Sequence, residues 1–118
     1  MMGEMIMKLL HARTNAHVLH LKATSYAKHV ALNEFYDGII PLVDSLAETY
    51  QGAHGLINRY PPRYTPVDDP IELVSQLAAW VEENRYECCD ADETCLQNTI
   101  DEIVALCHST TYKLKVLK

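Results

Sequence analysis

The sequence predicts an all-α protein, a four-helix up-down bundle with one long connection between its second and third helices. Three observations carry this. Apolar residues recur at three- and four-residue steps through long segments, the mark of helices with one buried stripe. Gly52, Gly55, Pro61, Pro62 and Pro66 crowd into a single interruption between those segments. Immediately after it stands Asp69-Pro70-Ile71-Glu72, a helix start with a capping aspartate and a proline in the first turn. At 118 residues the chain is sized for one domain with a single sizeable core.

The elements follow in order. Helix A runs from about Glu4 to Ala23, and helix B from Ser25 or Tyr26 to Tyr50, stopping at Gln51-Gly52. In helix B, Leu32, Phe35, Tyr36, Ile39, Leu42, Val43 and Leu46 keep the helical period. Pro41 removes one backbone hydrogen bond there and predicts a kink after Asp37. Residues 52–68 form an irregular crossover in which Tyr60, Arg63 and Tyr64 offer an aromatic and cationic surface, with packing against the bundle as the plainer role. In helix C, Glu72 is placed to reach back toward the free amides, and Leu73, Leu77, Trp80 and Val81 supply the apolar face. Glu82, Glu83 and Arg85 belong to its solvent-exposed end. Helix D, roughly Asp92 to Leu117, carries Leu96, Ile100, Ile103, Cys107, Thr110, Leu114 and Leu117 in alternating steps of four and three, with Asp101 and Glu102 solvated.

Composition narrows the function. With 48% hydrophobic and 22% charged residues the chain is globular, and it has no uninterrupted apolar run long enough for a membrane span. Glu4 and Lys8 interrupt the apolar start MMGEMIMKLL, and no small-residue cleavage site follows, so a secretory signal is not expected and cytoplasmic residence is. A net charge of -6 with ten Lys and Arg disfavours DNA as a partner. Lys113, Lys115 and Lys118 are better explained as complementing a helix C-terminus. No phosphate-binding loop, dinucleotide glycine motif or nucleophile elbow is present.

One set of residues has metal-ligating chemistry. His17, His29, Asn33, Asp44 and Glu48 are separated by 12, 4, 11 and 4 residues. On one straight helix, Asn33, Asp44 and Glu48 project at roughly 40°, 60° and 100° from His29, a single stripe. Asn33 and Asp44 are nevertheless about 16 Å apart along the axis, too far for one ion. A second copy would close the gap. A two-fold axis near residues 38 and 39 would set His29 opposite Glu48 and Asn33 opposite Asp44, with side-chain-free Gly38 at the centre allowing close approach. His20, three residues after His17, is an alternative ligand or supports one. Each of these also has a plain reading, as a hydrogen-bonded or solvated histidine and as an acidic solvent face.

The run HVLHLKATSYAKHVALNEFYDGIIPLVDSLAETY, residues 17–50, resembles the end of helix A and helix B of the ferritin-like proteins, specifically the Dps type of small iron-storage protein. The resemblance implies a ferritin-like bundle that binds Fe(II) between subunits and oxidises it with oxygen or peroxide. His17 and His29 would come from one copy, Asp44 and Glu48 from its two-fold mate. Where that family has an aspartate four residues after the second histidine, this chain has Asn33. A register shifted by four instead aligns Asn33 with the second histidine, Asp37 with that aspartate and Glu48 with the first partner carboxylate, bringing His20 near the first histidine. Val18 stands in place of the family's tryptophan in the first register, the chain is shorter, and it lacks a lysine-rich tail. The closing run DETCLQNTIDEIVALCHSTTYKLKVL is similar to small helical proteins of tailed phages. That likeness implies the alternative: a non-catalytic helical binding protein sequestering a small ligand or a host protein through its surface or crossover. Cys88, Cys89 and Cys95 cluster before helix D as the rival site, for zinc, though their spacing matches no recognised finger.

Overall fold

The computed structural model describes residues 1–118 and contains four helices: α1 (Met2–Lys22), α2 (Tyr26–His54), α3 (Pro70–Cys88) and α4 (Thr94–Val116). Local chemistry explains the starts. The Ser25 hydroxyl accepts from the Lys28 amide at the head of α2, and the Asp69 carboxylate accepts from the Glu72 amide at 2.9 Å, with Pro70 in the first turn of α3. The Glu72 carboxylate does not reach back; it accepts from Gln76 Nε2 one turn on. Helix α2 outruns the stop expected at Gln51-Gly52 and ends at Gly55, whose φ of 93° suits a residue without Cβ. The extra turn is held by the stacking of His54 on Tyr50 and by a hydrogen bond from His54 Nε2 to the Glu93 carboxylate. Helix α2 is one element through Pro41, which carries no amide and so leaves the Asp37 carbonyl without its helical donor. Helix α4 begins at Thr94 rather than Asp92, because the Glu93 side chain is turned to the Asp90 amide and to His54 instead of capping the helix.

The helices are neighbours around a square, α1 beside α2 and α3, and α4 beside α2 and α3. Each neighbouring pair is antiparallel. His20 meets His29 across α1 and α2, Lys8 meets Trp80 across α1 and α3, Glu34 meets Lys113 across α2 and α4, and Arg85 meets Asp101 across α3 and α4. Consequently α2 and α3 occupy opposite corners and run in the same direction, and the segment 55–69 connecting them has to climb the bundle. Arg59 lies against Gly3, Tyr64 against His11, and Val67 against Asn15, so the segment ascends beside α1.

The core is built from the predicted stripes. Phe35, Leu32, Ile39 and Leu46 of α2 are fully buried, as are Met5 and Leu9 of α1, Val74 and Val81 of α3, and Ile100 and Ile103 of α4. Each such side chain contributes about 1.5–3 kcal/mol. Cys107 is core, and Gly38 is used inside the chain: a Cβ there would lie 3.5 Å from Leu106 of α4. No helix is long and apolar enough to cross a membrane.

Gly3 is the tightest point. A Cβ at this buried position would lie 1.9 Å from the Arg59 carbonyl oxygen. Gly3→Ala would gain about 1 kcal/mol of helix propensity, but the clash is with backbone. Set against an overpacking cost of about 1–3 kcal/mol, that gain leaves a net loss of up to about 2 kcal/mol, read by denaturant titration. Trypsin cleavage after Arg59 and Arg63 should accelerate by more than the global loss of stability accounts for.

Candidate functional site

Between its two anchors the segment 55–69 behaves as a strap. The lower anchor is the Ile57 amide bonded to Gln51 Oε1 at 3.1 Å, with Arg59 pressed on Gly3. The upper anchor is Asn15, 3% exposed, whose side chain donates to the Val67 carbonyl at 3.0 Å and accepts from the Val67 amide at 2.7 Å. Neither anchor is a proline, and between them Pro61, Pro62 and Pro66 fix their own φ and bias the residues before them to extended backbone. Extended chain from Arg59 to Val67 reaches about 26 Å, whereas α1 rises only about 18 Å from Gly3 to Asn15. The chain thus has length to spare, and a groove of about 1440 Å³ is lined by the strap, α1 and α3.

The groove has an apolar floor and a mixed rim. Met7 and Ala12 of α1 and Leu73 and Leu77 of α3 form the floor. Trp80 stands at one side with the Lys8 ammonium 5.1 Å from its ring centre, and Tyr64 packs on His11 at 4.9 Å. Tyr60 and Tyr64 are each 41% exposed. Lys8, Arg59 and Arg63 also line the groove with one carboxylate, Glu4, and none of the three cations is in an ion pair. Of these residues, Tyr60, Arg63 and Tyr64 were legible as a binding surface in the sequence. Asn15 had a signal of its own, a polar residue between Ala12 and Ala16 on an apolar stripe. Lys8, His11, Arg59 and Trp80 had none, because their neighbours are distant in the chain.

The metal candidates are distributed differently. His20, buried, stacks on His29 with ring centres 3.6 Å apart. His20 Nδ1 donates to the His29 carbonyl at 2.7 Å and His29 Nδ1 to the His20 carbonyl at 3.0 Å, a reciprocal lock that joins α1 to α2. His17 stacks on Tyr36 at 4.1 Å. The Tyr36 hydroxyl donates to Asn33 Oδ1 at 2.7 Å and Asn33 Nδ2 donates to Asp37 at 2.9 Å, so Asn33 is committed within α2. Asp44 and Glu48 are exposed further down α2 and pair with nothing in the chain. The structure thus brings His17, His20 and His29 together and leaves Asp44 and Glu48 apart. No three His, Cys, Asp or Glu side chains are gathered in metal-binding geometry within the chain.

At the other end of the bundle lies a structural polar node. Arg85, expected at a solvent-exposed end, is only 7% exposed. Its Nε donates to Gln97 Oε1 at 2.8 Å, and its other nitrogens donate to Glu82, Asp101 and the Gln97 carbonyl at 2.6, 2.6 and 3.0 Å. Burial works against its charge, but the bonds to Asp101 and Glu82 together outweigh burial and hold its pKa above the usual value. Asp101 is therefore paired rather than merely solvated. Gln97 Nε2 in turn donates to the Cys89 carbonyl at 3.1 Å. All four cysteines are free; Cys88, Cys89 and Cys107 are buried and Cys95 is exposed. Burial, reinforced for Cys88 by the neighbouring Cys89, pushes the Cys88 and Cys107 thiols up to about 12 from 9.0. Burial and then the Glu93 carboxylate raise Cys89 as well.

Two consequences follow for the thiols. An aromatic disulfide reagent at neutral pH should label Cys95 rapidly and the other three only on unfolding. Because the folded-state pKa of Cys107 lies above its unfolded value, the folded chain holds the proton more tightly, and that stability is complete below pH 9 and lost as pH rises toward 12. Denaturation midpoints should fall from pH 8.5 to 11, and Cys107→Ala should make that fall shallower.

Comparison with curated proteins and with solved structures returns no match. One family model does match, over residues 20–114, from the buried His20 at the end of α1 to the last buried leucine of α4. That family is described as a family of unknown function, DUF5856, and since the match spans the greater part of the 118 residues, the chain belongs to it.

Proposed function

We propose that this chain is a non-catalytic helical binding protein that holds a small organic ligand in the groove beneath the strap. One observation carries the reading: a groove of about 1440 Å³ with an apolar floor and aromatic walls. The usual ligand pocket is of order 300–1,000 Å³ with apolar walls and a few placed polar groups; this groove is roomier and its lining is an even mixture of apolar and polar residues. The strap is clamped at both ends, so the groove is present before a ligand arrives and little ordering entropy is lost on binding. The bundle is proposed to be ferritin-like in its wiring, two short hairpins joined by a long crossover between α2 and α3. The proposed setting is the cytoplasm, which suits four reduced thiols.

Nile red, a neutral dye whose emission rises in apolar surroundings, tests the groove. It should bind the full chain, and the Tyr60→Ala, Tyr64→Ala double variant should weaken it about tenfold with an unchanged helical circular-dichroism spectrum. Equal binding by both proteins would move the dye to the exposed apolar end that includes Leu21 and Tyr26, 71% and 82% exposed, and would reject the groove.

A second reading, Fe(II) binding between two copies, is favoured by Asp44 and Glu48. They stand exposed one turn apart on α2, unpaired within the chain, where two like charges repel unless a cation intervenes. On this reading His17 and His29 of one copy and Asp44 and Glu48 of the other hold the ion, and the protein acts as a Dps-type ferroxidase. Anaerobic Fe(II) titration followed by oxygen should then give stoichiometric binding and fast oxidation, both lost in the Asp44→Ala, Glu48→Ala variant. Identical behaviour of the two proteins rejects the iron reading.

A further inference from the structure

We infer that the groove under the strap selects a planar aromatic anion, an aromatic ring carrying a phosphate or carboxylate; this rests on the groove being a ligand site at all. The first support is charge. The chain is acidic overall, with 16 Asp and Glu against 10 Lys and Arg, so a surface lined by more cations than carboxylates runs against its composition. Lys8, Arg59 and Arg63 nevertheless converge on one groove that contains a single carboxylate, and all three lack an ion-pair partner. Arg59 and Arg63 both come from the strap, four residues apart in sequence, on backbone held by the Gly3 contact and the Asn15 clamp. Two guanidiniums on anchored backbone are suited to the paired oxygens of a carboxylate or phosphate, which accept their parallel N–H groups.

The second support is the aromatic lining. Trp80 and Tyr64 line the groove, and each has a neighbour that a ligand ring can replace: the Lys8 ammonium over the Trp80 ring and the His11 imidazole tilted against Tyr64. A ring entering over Trp80 would displace Lys8, whose ammonium lies 5.1 Å from the ring centre, and leave it free to meet the ligand's anionic group. An aliphatic anion would satisfy the cations without using the ring faces, and a neutral ring would use the faces and leave the cations unpaired. Only a ligand with both features fits the whole lining.

Trp80 is the only tryptophan, so its fluorescence reports directly on the groove. The full chain is titrated with adenosine 5′-monophosphate and 1-naphthoate, which carry a planar ring with phosphate or carboxylate. Adenosine, inorganic phosphate and decanoate serve as counterparts lacking charge, ring or planarity. Binding of at least one ring anion, at least tenfold tighter than every counterpart, is expected. Which of the two binds assigns phosphate or carboxylate. The Arg59→Gln, Arg63→Gln variant should lose at least tenfold in that affinity with an unchanged helical circular-dichroism spectrum. Adenosine or decanoate binding as tightly as the ring anions would overturn the inference, as would an unchanged affinity in the double variant. If neither ring anion binds while Nile red remains sensitive to Tyr60 and Tyr64, the class is wrong and the groove stands. If the dye is insensitive too, the groove itself is not the site.

Discussion

The arrangement of this molecule depends on one topological constraint, that α2 and α3 run in the same direction at opposite corners of the bundle. Two parallel helices at a diagonal cannot be joined by a tight turn, so fifteen residues of non-helical chain have to travel along the bundle surface. That chain forgoes nearly all backbone hydrogen bonding. What fixes it instead is a small number of point contacts: the Gln51 side chain, the missing Cβ of Gly3 and the two-pronged Asn15. The groove is a by-product of the same constraint, since an extended chain covers more length per residue than the helix it runs beside.

Buried polar groups mark the places where helices are held in register. Asn15 locks α1 to the strap, the His20 and His29 rings lock α1 to α2, and Arg85 with Gln97 locks α3 to α4. In each case the partner includes a backbone carbonyl, and no buried side-chain nitrogen or oxygen is left unpaired. Such contacts add little net stability, because hydration is lost as they form, but misalignment would strand a donor in the core at about 1–3 kcal/mol. Apolar stripes alone tolerate sliding. The polar locks do not.

The functional surfaces separate along the same lines. The imidazole-rich hairpin end of α1 and α2 uses its histidines for structure, through Nδ1 bonds and stacking, and the acidic pair on α2 stands apart from it. The strap face, in contrast, combines cations without partners and ring faces covered only by exchangeable groups. In an acidic protein the first arrangement is accounted for by its internal bonds, whereas the second has unused recognition capacity, which is why the binding reading is placed there.

The sequence by itself determined the four helices, the caps at Ser25 and Asp69 and the apolar stripes, because these follow from the period of the chain and from bonds spanning three or four residues. It also marked Tyr60, Arg63 and Tyr64 as an aromatic and cationic surface, with packing against the bundle as the plainer role. It misjudged the end of α2, where a turn past Gly52 is held by His54 pairing with Glu93, and the state of Arg85, whose burial depends on Gln97 and Asp101 of another helix. The candidate metal stripe was drawn on one straight helix, where His29, Asn33, Asp44 and Glu48 share a face. Within one chain the tertiary structure separates them: His29 bonds to the His20 carbonyl of α1, Asn33 bonds to Tyr36 and Asp37, and the carboxylates are exposed without a partner. Lys8, His11, Asn15 and Trp80 became a groove only when the strap was laid along α1. Helical period is a property of neighbouring residues, whereas a groove is a property of which distant segments the packing brings side by side.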